Sequence, residues 1–104
     1  MERFIGIDLG TTYSSVATID EYGKPVIVKN HNGESLTPSV IYFDEFGNTI
    51  VGSEAKELLQ SGEENVAMFF KRFMGDDVFR FYAHDREYTA KELSAILLRK
   101  LKED

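Results

Sequence analysis

The sequence predicts a mixed α/β fold, in which an N-terminal β-meander leads into a smaller α+β part. Three short runs of apolar and β-branched residues, at 4–9, 14–19 and 25–30, are separated by turn residues and indicate the meander. The second half instead carries apolar residues at helical spacing. The chain has 104 residues, which fits one domain or part of one.

The β-rich half is divided by clear turn signals. Residues 4–9 form an apolar run containing one glycine and one aspartate, so we expect a strand that is buried on both faces. The segments DEYGK at 20–24 and DEFGN at 44–48 are typical of turns. Because the strands around them do not match, we interpret their similarity as local convergence on hairpin turns. Further strands are predicted at 39–44 and 49–52, after a turn at Asn32 and Gly33.

Two helical segments are predicted in the middle of the chain from caps and apolar spacing. Ser53 is placed to cap a helix over 54–60, and Gly62 is placed to end it. The second segment has apolar residues at the spacing i, i+3, i+4, i+7, and Gly75 is expected to end it. These apolar positions are Val66, Phe69, Phe70 and Phe73.

A hairpin and a last helix complete the predicted elements. Residues 78–88 are expected to form a hairpin that turns near His84 and Asp85. Thr89 and Glu92 have the spacing of a capping box at the start of the last helix. This helix runs to the end of the sequence without a glycine or asparagine stop, so we interpret the chain as a piece of a longer protein. Its apolar face is formed by Leu93, Ile96, Leu97 and Leu101.

The composition excludes several classes of function. A net charge of −6 disfavours a protein that binds the nucleic-acid backbone, which requires a basic face. The absence of cysteine excludes disulfides and thiolate metal sites. No apolar run approaches the roughly 18 residues needed to span a bilayer, and no signal peptide precedes the first strand. We therefore expect a cytoplasmic protein that binds neither nucleic acid nor membranes.

The first candidate site lies in the segment GIDLGTTYSSVA, residues 6–17. A tight turn after a strand directs successive backbone N–H groups into one space, which suits phosphate oxygens. Gly10 permits close approach, and Thr11 and Thr12 add hydroxyl donors. Asp8 could hold a hydrated Mg²⁺. A plain hairpin turn remains the alternative, because the segment matches neither the Walker A loop nor the dinucleotide-binding fingerprint.

The second candidate residue is Lys71. On a helical wheel it lies roughly 150° from the centre of the apolar arc of its predicted helix, so it points toward solvent or a cleft. A lysine that reaches a γ-phosphate or an attacking water would neutralise charge in phosphoryl transfer. The pattern by itself favours an ordinary solvated lysine.

The sequence resembles the start of the ATPase domain of the Hsp70 (DnaK-type) chaperones over nearly its whole length. Besides GIDLGTTYSSVA, the matching segments are SLTPSVIYF at 35–43, VGSEAKE at 51–57, NVAMFFKRFMG at 65–75 and EYTAKELSAILLRKLKE at 87–103. The motif D-x-G-T-T is shared with sugar kinases and actin-like proteins, whereas the T-P-S and K-R-x-x-G segments are more specific. Residues 76–88 look shorter than the corresponding stretch of many members.

This resemblance implies an actin-like, RNase H-like ATPase fold and a role for particular residues. Residues 1–35 would begin the first subdomain with its phosphate hairpin, and residues 36–104 would form a second, α+β subdomain. The ATP or ADP phosphates would be contacted by Gly10, Thr11, Thr12 and Tyr13. Asp8 would bind Mg²⁺ through water. Lys71 would be catalytic, and Arg72 would support it structurally.

The resemblance also implies partners and sets the alternatives. The parent would hydrolyse ATP to drive cycles of binding to unfolded polypeptides, with a J-domain protein and a nucleotide exchange factor as co-chaperones. The second phosphate loop and the adenosine pocket are absent from these 104 residues, so we expect the isolated chain to be inactive and to self-associate. The alternatives are a sugar kinase, a filament-forming actin-like ATPase and a small non-enzymatic interaction domain.

Overall fold

The computed structural model describes residues 5–103, which form three antiparallel sheets, two α-helices and one 3₁₀ turn. The mixed α/β fold class is therefore confirmed. The strands are β1 Ile5–Leu9, β2 Tyr13–Ile19, β3 Pro25–Val28, β4 Thr37–Pro38, β5 Val40–Phe43, β6 Thr49–Val51, β7 Val66–Met68, β8 Phe81–Ala83 and β9 Arg86–Tyr88. The helices are α1 Ser53–Gln60 and α2 Ala90–Glu103, and the 3₁₀ turn is Phe70–Phe73.

The predicted meander forms the first sheet, in which β2 pairs with β1, β3 and β4. The expectation that the first strand is buried on both faces is wrong, since Ile5 is 60% exposed and Asp8 is also exposed. Only one face is covered: Ile7 and Leu9 pack against the main core. A Cβ added at Gly6 would meet no atom of the described residues within 4 Å, so the other face of β1 is open at that point.

Three turns in the described part of the chain share one hydrogen-bond pattern. Asp20, Asn30 and Asp44 each accept, through Oδ1, from the backbone N–H groups two and four residues later. The fourth residue of each turn is a glycine with positive φ, which is the geometry of a type I turn followed by a left-handed residue. These are Gly23, Gly33 and Gly47. The shared pattern supports convergence of turn chemistry.

The second sheet has the strand order β6-β5-β7 and carries α1 beside it. The helix ends as predicted, because the N–H of Gly62 donates to the carbonyl of Leu59 at 3.1 Å. Its start differs from the prediction. The N-cap is Gly52, at φ 101°, and Ser53 is already the first helical residue. The Ser53 hydroxyl donates instead to Oε2 of Glu34 at 2.7 Å, so it does not cap the backbone N–H groups at the start of the helix.

The helix predicted at residues 66–73 is wrong, because this segment is a strand followed by a 3₁₀ turn. Val66–Met68 form β7 and pair antiparallel with β5, and Phe70–Phe73 form the 3₁₀ turn. Phe69 between them is left-handed, with φ 57°. Pairing with an exposed strand edge outweighs the helical spacing here, since β5 offers unpaired backbone groups that a helix would leave unused.

The C-terminal part follows the prediction closely. The β8–β9 hairpin turns at His84 and Asp85, both with positive φ. The capping box of α2 is formed, with Thr89 N–H donating to Glu92 Oε1 at 3.0 Å and Glu92 N–H donating to Thr89 Oγ1 at 3.1 Å. Neither helix within residues 5–103 is long and apolar enough to cross a membrane.

One main core joins the two halves of the chain. Leu93, Leu97 and Leu101 of α2 are buried against side chains of the second sheet, and Val16 of the first sheet packs against the same cluster. The buried members are Ile41, Phe43, Val51, Ala67, Phe70, Ala83, Leu93, Leu97 and Leu101. The core therefore includes residues on both sides of the division expected at residue 36, which itself stays a prediction.

Candidate functional site

The β1–β2 turn, residues 10–12, is the centre of the candidate site. Among the described residues, the backbone N–H groups of Thr11 and Thr12 donate to no other residue. The Thr12 side chain is exposed and that of Thr11 is half-buried. Gly10 allows no side chain, because a Cβ there would overlap the carbonyl oxygen of Tyr13. The turn thus presents two backbone donors and two hydroxyls on a tightly folded backbone, which suits an anion.

Two buried serines hold this turn from behind, and we call their hydrogen bonds the serine network. The Ser39 hydroxyl donates to the carbonyl of Gly10 at 2.9 Å, and the Ser39 N–H donates to the carbonyl of Thr12 at 2.9 Å. The hydroxyls of Ser14 and Ser39 are 2.8 Å apart. The two serines are 1% and 2% exposed. Because the network uses the carbonyls of the turn, the N–H groups remain free for a ligand.

A small cavity of about 180 Å³ adjoins the turn. Thr11 and Thr12 form one wall, and Phe69 forms part of another. Lys56 of α1 also lines the cavity, and its Nζ donates to the Tyr13 hydroxyl at 2.8 Å. The same ammonium lies 5.1 Å from the centroid of the Tyr13 ring. The predicted Tyr13 thus lies beside the turn with its hydroxyl bonded to a cation.

Lys71 lies in the 3₁₀ turn, two residues after Phe69. The helix assumed for its orientation is absent, but the side chain is exposed as expected. Within residues 5–103 it makes no hydrogen bond or ion pair, so it is not joined to Asp8. The guanidinium of Arg72 lies 5.0 Å from the centroid of the Phe69 ring, so Arg72 contacts the left-handed residue that precedes the turn.

Asp8 is the next-to-last residue of β1, where it pairs with Ser15 and its carboxylate is exposed. No group of three or more His, Cys, Asp or Glu residues that could hold a metal occurs in the described part of the chain. Mg²⁺ keeps several waters and is often held by one or two carboxylates together with substrate phosphates. The exposed carboxylate of Asp8, two residues before Gly10, therefore fits a water-mediated Mg²⁺ contact.

Sequence reasoning missed Ser14, Ser39 and Lys56. The first two lie 25 residues apart, and only the pairing of β2 with β4 brings them together. Lys56 comes from a helix whose orientation toward Tyr13 has no sequence signature. The T-P-S segment at 37–39 was a visible signal, but it pointed only to a family and not to a contact with residues 10–12.

The sequence matches the family model described as Hsp70 protein over residues 4–83. This range includes the β1–β2 turn, both serines of the network, Lys56 and Lys71, and it is most of the chain. Together with the mixed α/β architecture, the match is consistent with an actin-like ATPase fold. It favours the chaperone family over the other superfamily members that share D-x-G-T-T.

Proposed function

The chain belongs to the Hsp70 family of chaperone-type ATPases, and on that premise we propose that its β1–β2 turn binds the phosphates of ATP and ADP. The observation that carries this proposal is the free backbone N–H pair at Thr11 and Thr12, which the serine network orients from behind. The turn offers these donors without the energetic cost of ordering a loop on binding. Gly10 allows the tight backbone that brings the donors together.

Asp8 and Lys71 complete the proposed set of residues. Asp8 would hold Mg²⁺ through water, and the ion would neutralise phosphate charge when bound. Lys71 would position the attacking water or stabilise charge on the γ-phosphoryl group. Its exposed, unpaired side chain within residues 5–103 is available for this role. Arg72 would support the segment through its contact with Phe69.

We propose that this chain contributes one side of the ATP site of a chaperone that acts on unfolded polypeptides, with J-domain proteins and nucleotide exchange factors as partners. A second glycine-rich loop of the form D-x-G-G-G-T is absent from the sequence. Hydrolysis should therefore need residues beyond those of this chain, and the chain by itself should bind nucleotide weakly and turn it over negligibly.

The proposal is tested by titrating the ¹⁵N-labelled chain with Mg-ADP, with inorganic pyrophosphate and with adenosine. Mg-ADP and pyrophosphate should shift the amide signals of residues 10–13, because these amides line the phosphate site. Adenosine carries no phosphate and should leave the same signals unchanged. A matched pair of variants, Thr12→Val in the turn and Thr49→Val on β6, separates loss of a donor hydroxyl from loss of any surface threonine.

The phosphate site is rejected if pyrophosphate at millimolar concentration leaves residues 10–13 unshifted. Equal shifts with adenosine would also contradict it, because binding would then follow the nucleoside. An unchanged response in Thr12→Val would exclude only the hydroxyl and not the backbone donors.

A further inference from the structure

We propose that Ser39 is a positioning residue that fixes the β1–β2 turn relative to the segment that carries Lys71, with Ser14 as its buried hydrogen-bond donor. The functional consequence of this inference rests on the proposed function, because Ser39 would align the β1–β2 turn with Lys71 in the proposed phosphate site. Its structural part concerns only the described contacts and can be tested without nucleotide.

The hydrogen bonds of Ser39 have a defined direction. A serine hydroxyl has one proton, and the Ser39 proton is used in the 2.9 Å bond to the Gly10 carbonyl. The 2.8 Å contact between the serine hydroxyls must therefore be donated by Ser14. Ser39 thus acts at once as hydroxyl donor, hydroxyl acceptor and backbone donor to Thr12. Removal of its hydroxyl leaves a buried Ser14 proton without an acceptor, which is costly.

Ser39 also lies where the chain passes from one sheet to the other. Thr37–Pro38 pair with β2 in the first sheet, and Val40 pairs with Met68 in the second. Ser39 is the single residue between these two pairings. Met68 is followed by the left-handed Phe69 and then by the 3₁₀ turn with Lys71. A path of hydrogen bonds and strand pairing therefore leads from the β1–β2 turn through Ser39 and Val40 to Met68, three residues before Lys71.

The experiment compares Ser39→Ala with Ser94→Ala in the nucleotide-free chain. Ser94 is a matched control, because it is also a buried serine and its hydroxyl donates to Met74 Sδ at 3.4 Å, away from the β1–β2 turn. The readouts are hydrogen exchange of the amide at position 39, which donates to Thr12, and ¹⁵N order parameters at Thr11 and Thr12. In Ser39→Ala we expect exchange about tenfold faster and order parameters below about 0.6.

Ser94→Ala should change the exchange rate of the amide at position 39 only to the extent that the substitution lowers the global free energy of unfolding. Ser39→Thr retains the hydroxyl and should restore most of the order of the turn. If Ser39→Ala fails to fold, Ser14→Ala serves instead, because it removes the buried donor but keeps the bond to Gly10. It should accelerate exchange at position 39 about threefold.

The proposal is overturned if Ser39→Ala, or Ser14→Ala in its place, leaves both readouts at the wild-type values. It is also overturned if Ser94→Ala disorders the turn equally. A second measurement, the dissociation constant for Mg-ADP, should rise about tenfold in Ser39→Ala. If the wild-type chain binds no Mg-ADP, the proposed function fails while the exchange data still decide the role of Ser39.

Discussion

Replacement of Gly10 by alanine tests whether the β1–β2 turn has its shape for steric reasons. A Cβ at this position would overlap the Tyr13 carbonyl oxygen and lie 3.3 Å from the carbonyl carbon. Relief of the overlap requires a shift of about 1 Å, since non-bonded contacts are unfavourable well inside 3 Å. That shift acts on Tyr13, which pairs with Pro38, and on the carbonyl that accepts from Ser39.

The expected cost follows from these contacts. Overpacking of this kind costs about 1–3 kcal/mol, and weakening one or two hydrogen bonds adds about 1 kcal/mol each. Alanine has a smaller backbone entropy than glycine in the unfolded chain, and this difference stabilises the folded state of the variant by about 0.4–1 kcal/mol. We therefore expect Gly10→Ala to lower the free energy of unfolding by about 2–4 kcal/mol. For a chain of this size that corresponds to a loss of about 10–20 °C in Tm.

Gly6→Ala is the matched control, because Gly6 lies in β1, four residues before Gly10, lacks a positive φ and has no described atom within 4 Å of an added Cβ. It should be neutral or stabilising by up to about 1 kcal/mol. Urea denaturation followed by circular dichroism measures both variants. A steric role for Gly10 is refuted if the free energy of unfolding of Gly10→Ala is within about 0.5 kcal/mol of the wild-type value, or if Gly6→Ala is destabilised as strongly.

The remaining predictions concern the groups around the turn. In the full-length protein, Lys71→Ala should lower hydrolysis by about 100-fold or more and leave Mg-ADP affinity nearly unchanged, and normal turnover would contradict the proposed role. A double-mutant cycle of Lys56→Met and Tyr13→Phe should give a coupling of about 0.5–1 kcal/mol in unfolding, whereas additive effects would mean that their contact contributes nothing. The hydrogen bond from Ser53 holds the pKa of Glu34 below its ordinary value of 4.5, against partial desolvation, which raises it. This stabilisation is present above about pH 4.5 and is lost as the pH falls through the lower folded pKa. Ser53→Ala should therefore weaken the dependence of the free energy of unfolding on pH in this acidic range, and an unchanged pH dependence would contradict the role of this hydrogen bond.

Local rules explain most of what the sequence predicted correctly. The three turns with Asp20, Asn30 and Asp44 depend on an Asx side chain and a glycine a few residues apart, so their geometry is contained in a short segment. The capping box of Thr89 and Glu92 is local in the same way. The D-x-G-T-T segment likewise placed the candidate turn correctly between two strands.

The errors arose where a partner distant in sequence decided the local structure. The spacing of apolar residues at 66–73 is typical of a helix, but Val66–Met68 pair with β5 as the third strand of the second sheet. Ser53 is a suitable N-cap residue, but its hydroxyl donates a hydrogen bond to the carboxylate of Glu34, 19 residues away in sequence. In each case the local pattern was compatible with one structure, and a long-range contact stabilised another.

The sequence by itself determined the fold class, the family and the position of the turn, because these depend on short motifs and on the order of apolar runs. Only the tertiary structure decided how the turn is held and what faces it. Ser39 reaches the Gly10 carbonyl across 29 residues, and Lys56 reaches Tyr13 across 43. Such contacts depend on the relative placement of whole strands and helices, which side-chain burial in the shared core fixes and which no short segment encodes.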